Sequence, residues 1–186
     1  MVQVKEVSFQ DVKAHYESLK TDLIKMEYLE SVLKILSMSI DVKKFALGTL
    51  SELYDKRMMY DKSAKAMCLK AGYEVTYREK IDSLLKSAEF YIKSGNIIAA
   101  DDMFVGAMRE ATPEQQIKIT AARKSIYLKV ADELEKRTRM SNASKIYEHL
   151  LTLKLTEVEK ESIKKKLKDY YVRVGRFNEA KIVEKR

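Results

Sequence analysis

Apolar residues recur along this chain at steps of three and four, the spacing that lines one side of an α-helix. Near the N-terminus, Val12, Tyr16, Leu19, Leu23, Met26, Leu29, Leu33, Leu36 and Ile40 follow it. Ser8 reads as an N-cap, and Thr21 with Asp22 predicts a break into two helices. One unbroken helix over residues 8–38 is the alternative. Asp41 marks the start of the next helix. Further on, Thr112 precedes Pro113 and Glu114. A capping hydroxyl, a proline at the first helical position and a carboxylate beside it predict a helix start. That helix runs to about Arg137, with Ile117, Ala121, Ile126, Val130 and Leu134 among its apolar positions.

Glycines punctuate the helices. Gly72, Gly95 and Gly175 each follow a helical stretch and are expected in the left-handed conformation that closes helices. Gly48 and Gly106 fall inside helical patterns, where close packing of two helices is the expected reason for them.

Superimposing the segments around Gly95 and Gly175 reveals a repeat. Tyr91 and Tyr171 lie four residues before these glycines, and Ala100 and Ala180 five after; Ile97 and Phe177 stand two beyond. The frame fits again at Thr138, with Leu134, Met140 and Ala143, and more loosely at Met58, with Tyr54, Tyr60 and Ser63. The anchors Met58, Gly95, Thr138 and Gly175 are 37, 43 and 37 residues apart. Met67, Phe104 and Tyr147 lie nine beyond three anchors, and small residues stand seven before them at Ser51, Ala88 and Ala131, with Lys168 breaking that column. This is the pattern of a helical hairpin: a large residue ends the first helix, a turn reverses the chain, and a small residue lets the second helix approach. One hairpin cannot bury its apolar face alone, so neighbours must stack.

The frame resembles the tetratricopeptide repeat. Its best match is Leu84, Ala88, Tyr91, Gly95, Ala100, Phe104 and Ala107, followed by Pro113 one place later than the family's proline. The next unit matches as Tyr127, Ala131, Leu134, Ala143, Tyr147 and Leu150. The spacings exceed the family's roughly 34 residues, so the units are tetratricopeptide-like with lengthened helices, similar in style to elongated adaptors of the soluble NSF-attachment-protein type. The resemblance implies an all-α, right-handed superhelix of antiparallel helical hairpins. Residues 1–186 read as a single helical-repeat domain: one or two N-terminal helices over 1–40, then hairpins over 41–72, 74–111, 113–153 and 156–186. The last unit, ending at Arg186, has a short second helix that either caps the stack or is covered by a partner.

A second pair of columns follows the anchors. Six residues before each stands an acid, Glu52, Glu89, Asp132 or Asp169; two before stands a base, Lys56, Lys93, Lys136 or Arg173. Acid before base at i, i+4 is the favourable order on a helix. Two readings follow: a solvated face of paired charges, or charges lining the concave groove of first helices, where the resemblance places a partner. Members of that family clamp a peptide's terminal carboxylates with Lys and Asn. The corresponding faces here carry acid beside base, which argues against a chaperone-tail clamp.

Composition narrows the picture. With 5 Gly and 1 Pro, the chain is short of the turn residues an all-β fold of this length needs, and 46% hydrophobic content excludes disorder for its bulk. Its net charge of +8 is uneven: residues 1–112 hold 17 basic and 17 acidic side chains, and residues 113–186 hold 19 and 11. A basic half fits soluble Lys-rich helices, or binding to nucleic acid, an anionic membrane surface or an acidic peptide. The candidate anion or nucleic-acid contacts are Arg123, Lys124, Lys160, Lys164, Lys165 and Lys168. Arg137 and Arg139 add to the excess. On a helix Lys164 shares a face with Lys160 and with Lys168, whereas Lys165 and Lys166 point elsewhere. No RNA-binding motif with ordered aromatics accompanies them.

Catalytic chemistry is not expected. The two histidines, His15 and His149, have Val12 and Ile146 three residues before them, not the Glu of a helical di-iron site. No H-E-x-x-H, CxxC or phosphate-binding glycine loop occurs. Cys68 sits in an apolar stretch and reads as an inert thiol. Asp101 and Asp102 read as carboxylates near a helix N-terminus. Met1–Gln10 lacks the pattern of a signal peptide and no run is apolar enough to span a membrane. With a lone cysteine, these features favour the cytoplasm. The expectation is a non-enzymatic module, without cofactor or metal, that presents a helical groove to a partner peptide or helix. Nucleic-acid binding through the basic half and a homo-oligomeric scaffold are the alternatives.

Overall fold

Small side-chain oxygens set where the helices begin. Ser8, Thr21, Ser39, Thr76, Asn96 and Thr156 each accept a hydrogen bond from a backbone N–H three residues on, satisfying one of the donors a helix start leaves open. Thr112 does the same for Gln115, whose side chain returns the bond to the Thr112 N–H. The computed structural model describes residues 8–185. Residues 1–7 and 186 lie outside them, and with them most of Met1–Gln10 and the final residue of the last repeat. The described elements are α1 (Phe9–Ser18), α2 (Asp22–Leu33), α3 (Ile40–Lys56), α4 (Tyr60–Ala71), α5 (Tyr77–Ser94), α6 (Ile97–Arg109), α7 (Pro113–Lys136), α8 (Met140–Leu150), α9 (Glu157–Arg173) and α10 (Phe177–Lys185). No strand occurs among the described residues. The fold is all-α and built of antiparallel helical hairpins.

The N-terminal stretch is two helices. Leu19 is extended at the end of α1, and Thr21 caps a new start. That break, and the end of α2 at Leu33, shift the phase of the apolar stripe. Val12, Met26 and Leu29 are buried as expected, but Leu23, Leu36 and Ile40 are exposed. In α7 the buried positions are Ile119, Tyr127, Val130, Ala131 and Leu134, whereas Ile117 and Ala121 face water.

All four repeat anchors adopt a left-handed backbone. φ is 57° at Met58, 89° at Gly95, 58° at Thr138 and 74° at Gly175, and no other described residue has positive φ. Behind each, the same two hydrogen bonds close the first helix. Met59, Asn96, Arg139 and Arg176 donate their N–H to the carbonyls of Tyr54, Tyr91, Leu134 and Tyr171 at 2.8–2.9 Å. The anchors themselves donate to Asp55, Ile92, Glu135 and Val172 at 2.9–3.1 Å. This is the Schellman closure, repeated four times. Gly72 departs from the expectation: its φ is −69°, and Tyr73 N–H bonds the Lys70 carbonyl in a right-handed turn.

Burial follows the repeat columns. Tyr54, Tyr91, Leu134 and Tyr171 are buried before the anchors, and Ser63, Ala100, Ala143 and Ala180 after them. Ser51 and Ser63, both buried, exchange side-chain hydrogen bonds with each other's carbonyl at 3.1 and 3.0 Å, so α3 and α4 approach closely without an orphaned hydroxyl. Gly48 and Gly106 do not mark such an approach. A methyl at Gly48 would meet only the Lys70 chain at 3.5 Å, and one at Gly106 only Leu84 Cδ1 at 3.7 Å, both ordinary contacts.

The chain divides into two compact units, Met1–Gln116 and Ile117–Arg186, with the boundary inside α7. In the first, α1, α2 and α3 share a core that includes Val12, Tyr28, Leu29, Val32 and Leu50; α4 packs on α3 and on α5, and α6 on α5. In the second, α9 packs on α8 and α10, around buried Tyr127, Ile146, Tyr147, Leu167 and Tyr171.

Candidate interaction surface

The repeated acid–base pairs do not share one environment. Glu89 is buried, 2.8 Å from Lys86 and 3.4 Å from Lys93, which also lies 3.9 Å from Asp55. Asp132 is half-buried and is bonded by Lys166 and by the Tyr147 hydroxyl, both at 2.9 Å. Glu52, Lys56, Lys136, Asp169 and Arg173 are exposed. Glu89–Lys93 is the one of the four pairs that closes within 4.0 Å among the described residues.

Two further charge clusters serve packing. Glu74, after α4, has only 2% of its side chain exposed and lies 2.5 Å from Lys44 of α3 and 2.8 Å from Lys70 of α4. Burial alone would raise its pKa, but the hydrogen bonds from Lys44 and Lys70 outweigh it and hold the carboxyl below the usual glutamate value. Lys166 Nζ bonds Asp132, Glu135 and the Tyr147 hydroxyl, all at 2.9 Å. Burial opposes its charge, yet these partners raise its pKa; burial likewise works against the Asp132 charge, and hydrogen bonds from Lys166 and the Tyr147 hydroxyl hold it below the usual aspartate value.

Half of the six candidate anion contacts are neutralised within the chain. Lys124 lies 2.7 Å from Glu159, Lys164 2.8 Å from Glu161 and Lys168 2.6 Å from Glu184. Hydrogen bonds from Lys124 and from the Thr156 backbone and hydroxyl push the Glu159 pKa down to about 2. Arg123 is half-buried. Lys160 and Lys165 have no carboxylate within 4.0 Å among the described residues. A hollow of about 210 Å³ beside Lys165 is lined by Glu161 and Glu184 as well as Lys164, Lys165 and Lys168, so acid is interleaved with base.

The described residues hold no cluster of three metal-ligating side chains. The His15 ring lies tilted against Tyr28 and His149 against Tyr127, at ring distances of 4.5 and 4.8 Å. Burial raises the Cys68 pKa, away from thiolate reactivity. Asp101 and Asp102 lie beyond the first turn of α6, where the dipole of the helix start has faded. No helix among the described residues is long and apolar enough to cross a membrane.

One concave surface among the described residues was not legible in the sequence. It is a groove of about 330 Å³ in the first unit, with α2 and α4 as walls and α3 as floor. Leu33, Leu47, Leu50, Ala66 and Leu69 line it, and Leu69 is 60% exposed. Glu30, Lys34, Lys62 and Lys65 form its polar edge. Tyr54 closes one end, its hydroxyl donating to Glu30 at 2.5 Å and its ring lying 5.4 Å from Lys62 Nζ. Lys62, Ala66 and Leu69 share one face of α4, which the helical period discloses. What the period does not disclose is that α2 lies opposite. None of the eight repeat charges lines this groove.

No family model and no curated protein matches the chain. Among solved structures it is similar to BtubC (BKLC) from P. vanneervenii, with 16% identity, 94% of this chain and 70% of that chain covered, and a TM-score of 0.38. A likeness at that level carries no argument about function.

Proposed function

We propose that this chain is a non-enzymatic interaction module of tetratricopeptide-like type, acting in the cytoplasm as an adaptor or scaffold, that holds a peptide or helix of a partner protein. The observation that carries this reading is the groove between α2 and α4: a concave surface lined by buried Leu47, Leu50 and Ala66, with Leu69 exposed at its wall and charges at its edge. Such surfaces are where helices and peptides of partners dock. The repeat charges play a smaller part in the reading than the sequence suggests, because Glu89 and Asp132 are occupied by packing contacts.

The test is capture from the native host followed by mass spectrometry, with wild-type protein and Leu69→Glu side by side. Leu69 is exposed, so the variant keeps its helical circular dichroism. The expected result is a protein retained by the wild type and lost by the variant. Identical capture profiles would remove the groove as the docking surface.

A further inference from the structure

We infer that the groove between α2 and α4 takes an acidic amphipathic helix of another protein. The inference rests on the reading of this chain as an interaction module and adds the chemistry of what fills the groove.

The charge at the rim is the first ground. Lys34, Lys62 and Lys65 are all exposed, and none has a carboxylate within 4.0 Å among the described residues. Elsewhere in the same unit, Lys44, Lys70, Lys80 and Lys86 meet carboxylates at 2.5–2.8 Å. Residues 1–112 are neutral as a whole. The local excess at the groove is therefore a matter of placement, not of composition. Glu30, the carboxylate among the lining residues, already accepts the Tyr54 hydroxyl. Three ammonium groups against one engaged carboxylate favour an anionic visitor.

The apolar lining supplies the second ground. Leu47, Leu50 and Ala66 are already buried, but Leu69 is 60% exposed and Leu33 partly so, and these two call for apolar groups of the occupant. An amphipathic helix meets both demands, with apolar residues at i, i+3 or i+4, and i+7 pointing down and acids beside them reaching the lysines. Seven residues of helix span about 10 Å, a scale that suits a short groove. A nucleic-acid backbone would meet the lysines but leave Leu69 and Leu33 uncovered.

The probe is a fluorescein-labelled synthetic helix with leucines on one face and glutamates flanking them, titrated into the full chain by anisotropy. The control peptide carries lysines in place of the glutamates. The acidic peptide is expected to bind at least about tenfold more tightly than the basic one and to weaken as salt is raised. Lys62→Glu with Lys65→Glu should reverse the preference while circular dichroism stays helical, and Leu69→Glu should abolish binding. Equal affinities for the two peptides, or binding of neither, would overturn the inference. Should lysate capture still depend on Leu69 in that case, the module reading stands and only the occupant's chemistry falls. Sedimentation of the peptide-free chain covers the remaining occupant: self-association lost in Leu69→Glu would assign the groove to a second copy and also overturn the inference.

Discussion

Met58 holds the backbone conformation of Gly95. φ is 57° at the one and 89° at the other, and in both hairpins the next N–H bonds the carbonyl five residues back at 2.9 Å. Thr138 does the same at 58°. For a residue with a Cβ this conformation costs about 1–2 kcal/mol, which glycine avoids. Met58→Gly and Thr138→Gly are therefore expected to stabilise the chain by about 0.5–1 kcal/mol each, less than the full strain because glycine also frees the unfolded chain. Gly95→Ala should destabilise it by about 1 kcal/mol. Urea denaturation of the three variants checks the signs, and a loss of stability in both glycine variants would contradict the assignment.

Gly106 sits inside α6 with room beside it, the nearest atom to an added methyl being Leu84 Cδ1 at 3.7 Å. Gly106→Ala should raise stability by about 0.5–1 kcal/mol by lowering the conformational freedom of the unfolded chain. Thermal melting reads the change directly, and a lowered midpoint would mean that the space is needed.

Glu74 ties α3 and α4 to the loop before α5. Its carboxyl pKa is lower folded than unfolded, so its contribution is complete above the ordinary glutamate range and is lost as pH falls through the folded value. At neutral pH, Glu74→Gln should cost about 2 kcal/mol, because Lys44 and Lys70 then lose the carboxylate between them. The gap between wild type and variant should close as pH drops from about 7 to about 3. A gap independent of pH would show that shape, not charge, is what the site needs.

Lys166 joins Asp132 and Glu135 of α7 to Tyr147 of α8. Lys166→Met should destabilise by about 1 kcal/mol, a modest figure because 36% of the lysine side chain is in contact with water. Adding Asp132→Asn should recover part of the loss, since two carboxylates no longer face each other without a cation. A double-mutant cycle showing no coupling would contradict the arrangement.

Binding of generic RNA or duplex DNA is the outcome the charge surplus invites. Lys124, Lys164 and Lys168 already lie within 2.6–2.8 Å of carboxylates, so a phosphate backbone must displace those partners. We expect no retention in a filter assay at about 50 mM salt, a concentration at which phosphate-driven binding is strong. Tight binding with a steep salt dependence, weakened by Lys160→Glu and Lys165→Glu, would shift the function to nucleic acid.

Local chemistry decided what the sequence makes legible. Helical periods, hydroxyl caps at Ser8, Thr21 and Thr112, and the four anchors act within a few residues of themselves, and they set the helices and the turns between them. The burial of Tyr54, Tyr91, Leu134 and Tyr171 follows from the same frame. Gly72 misled because a glycine after a helix permits the left-handed turn without requiring it.

Contacts between distant residues decided the rest. Glu89 and Lys93 look like any surface pair in sequence, and only the packing around α5 buries Glu89 while it stays paired with Lys86 and Lys93. Lys124 and Glu159 are 35 residues apart, and Lys166 and Asp132 34, beyond the reach of any helical rule. The groove needs α2 opposite α4, with Lys34 contributed by one side and Lys62 and Lys65 by the other. The sequence by itself determined helices, caps and hairpins, because each depends on bonds inside one or two turns of chain. Tertiary structure alone decided which charges are spent on packing and which stand open at an apolar surface, because that depends on which helices meet.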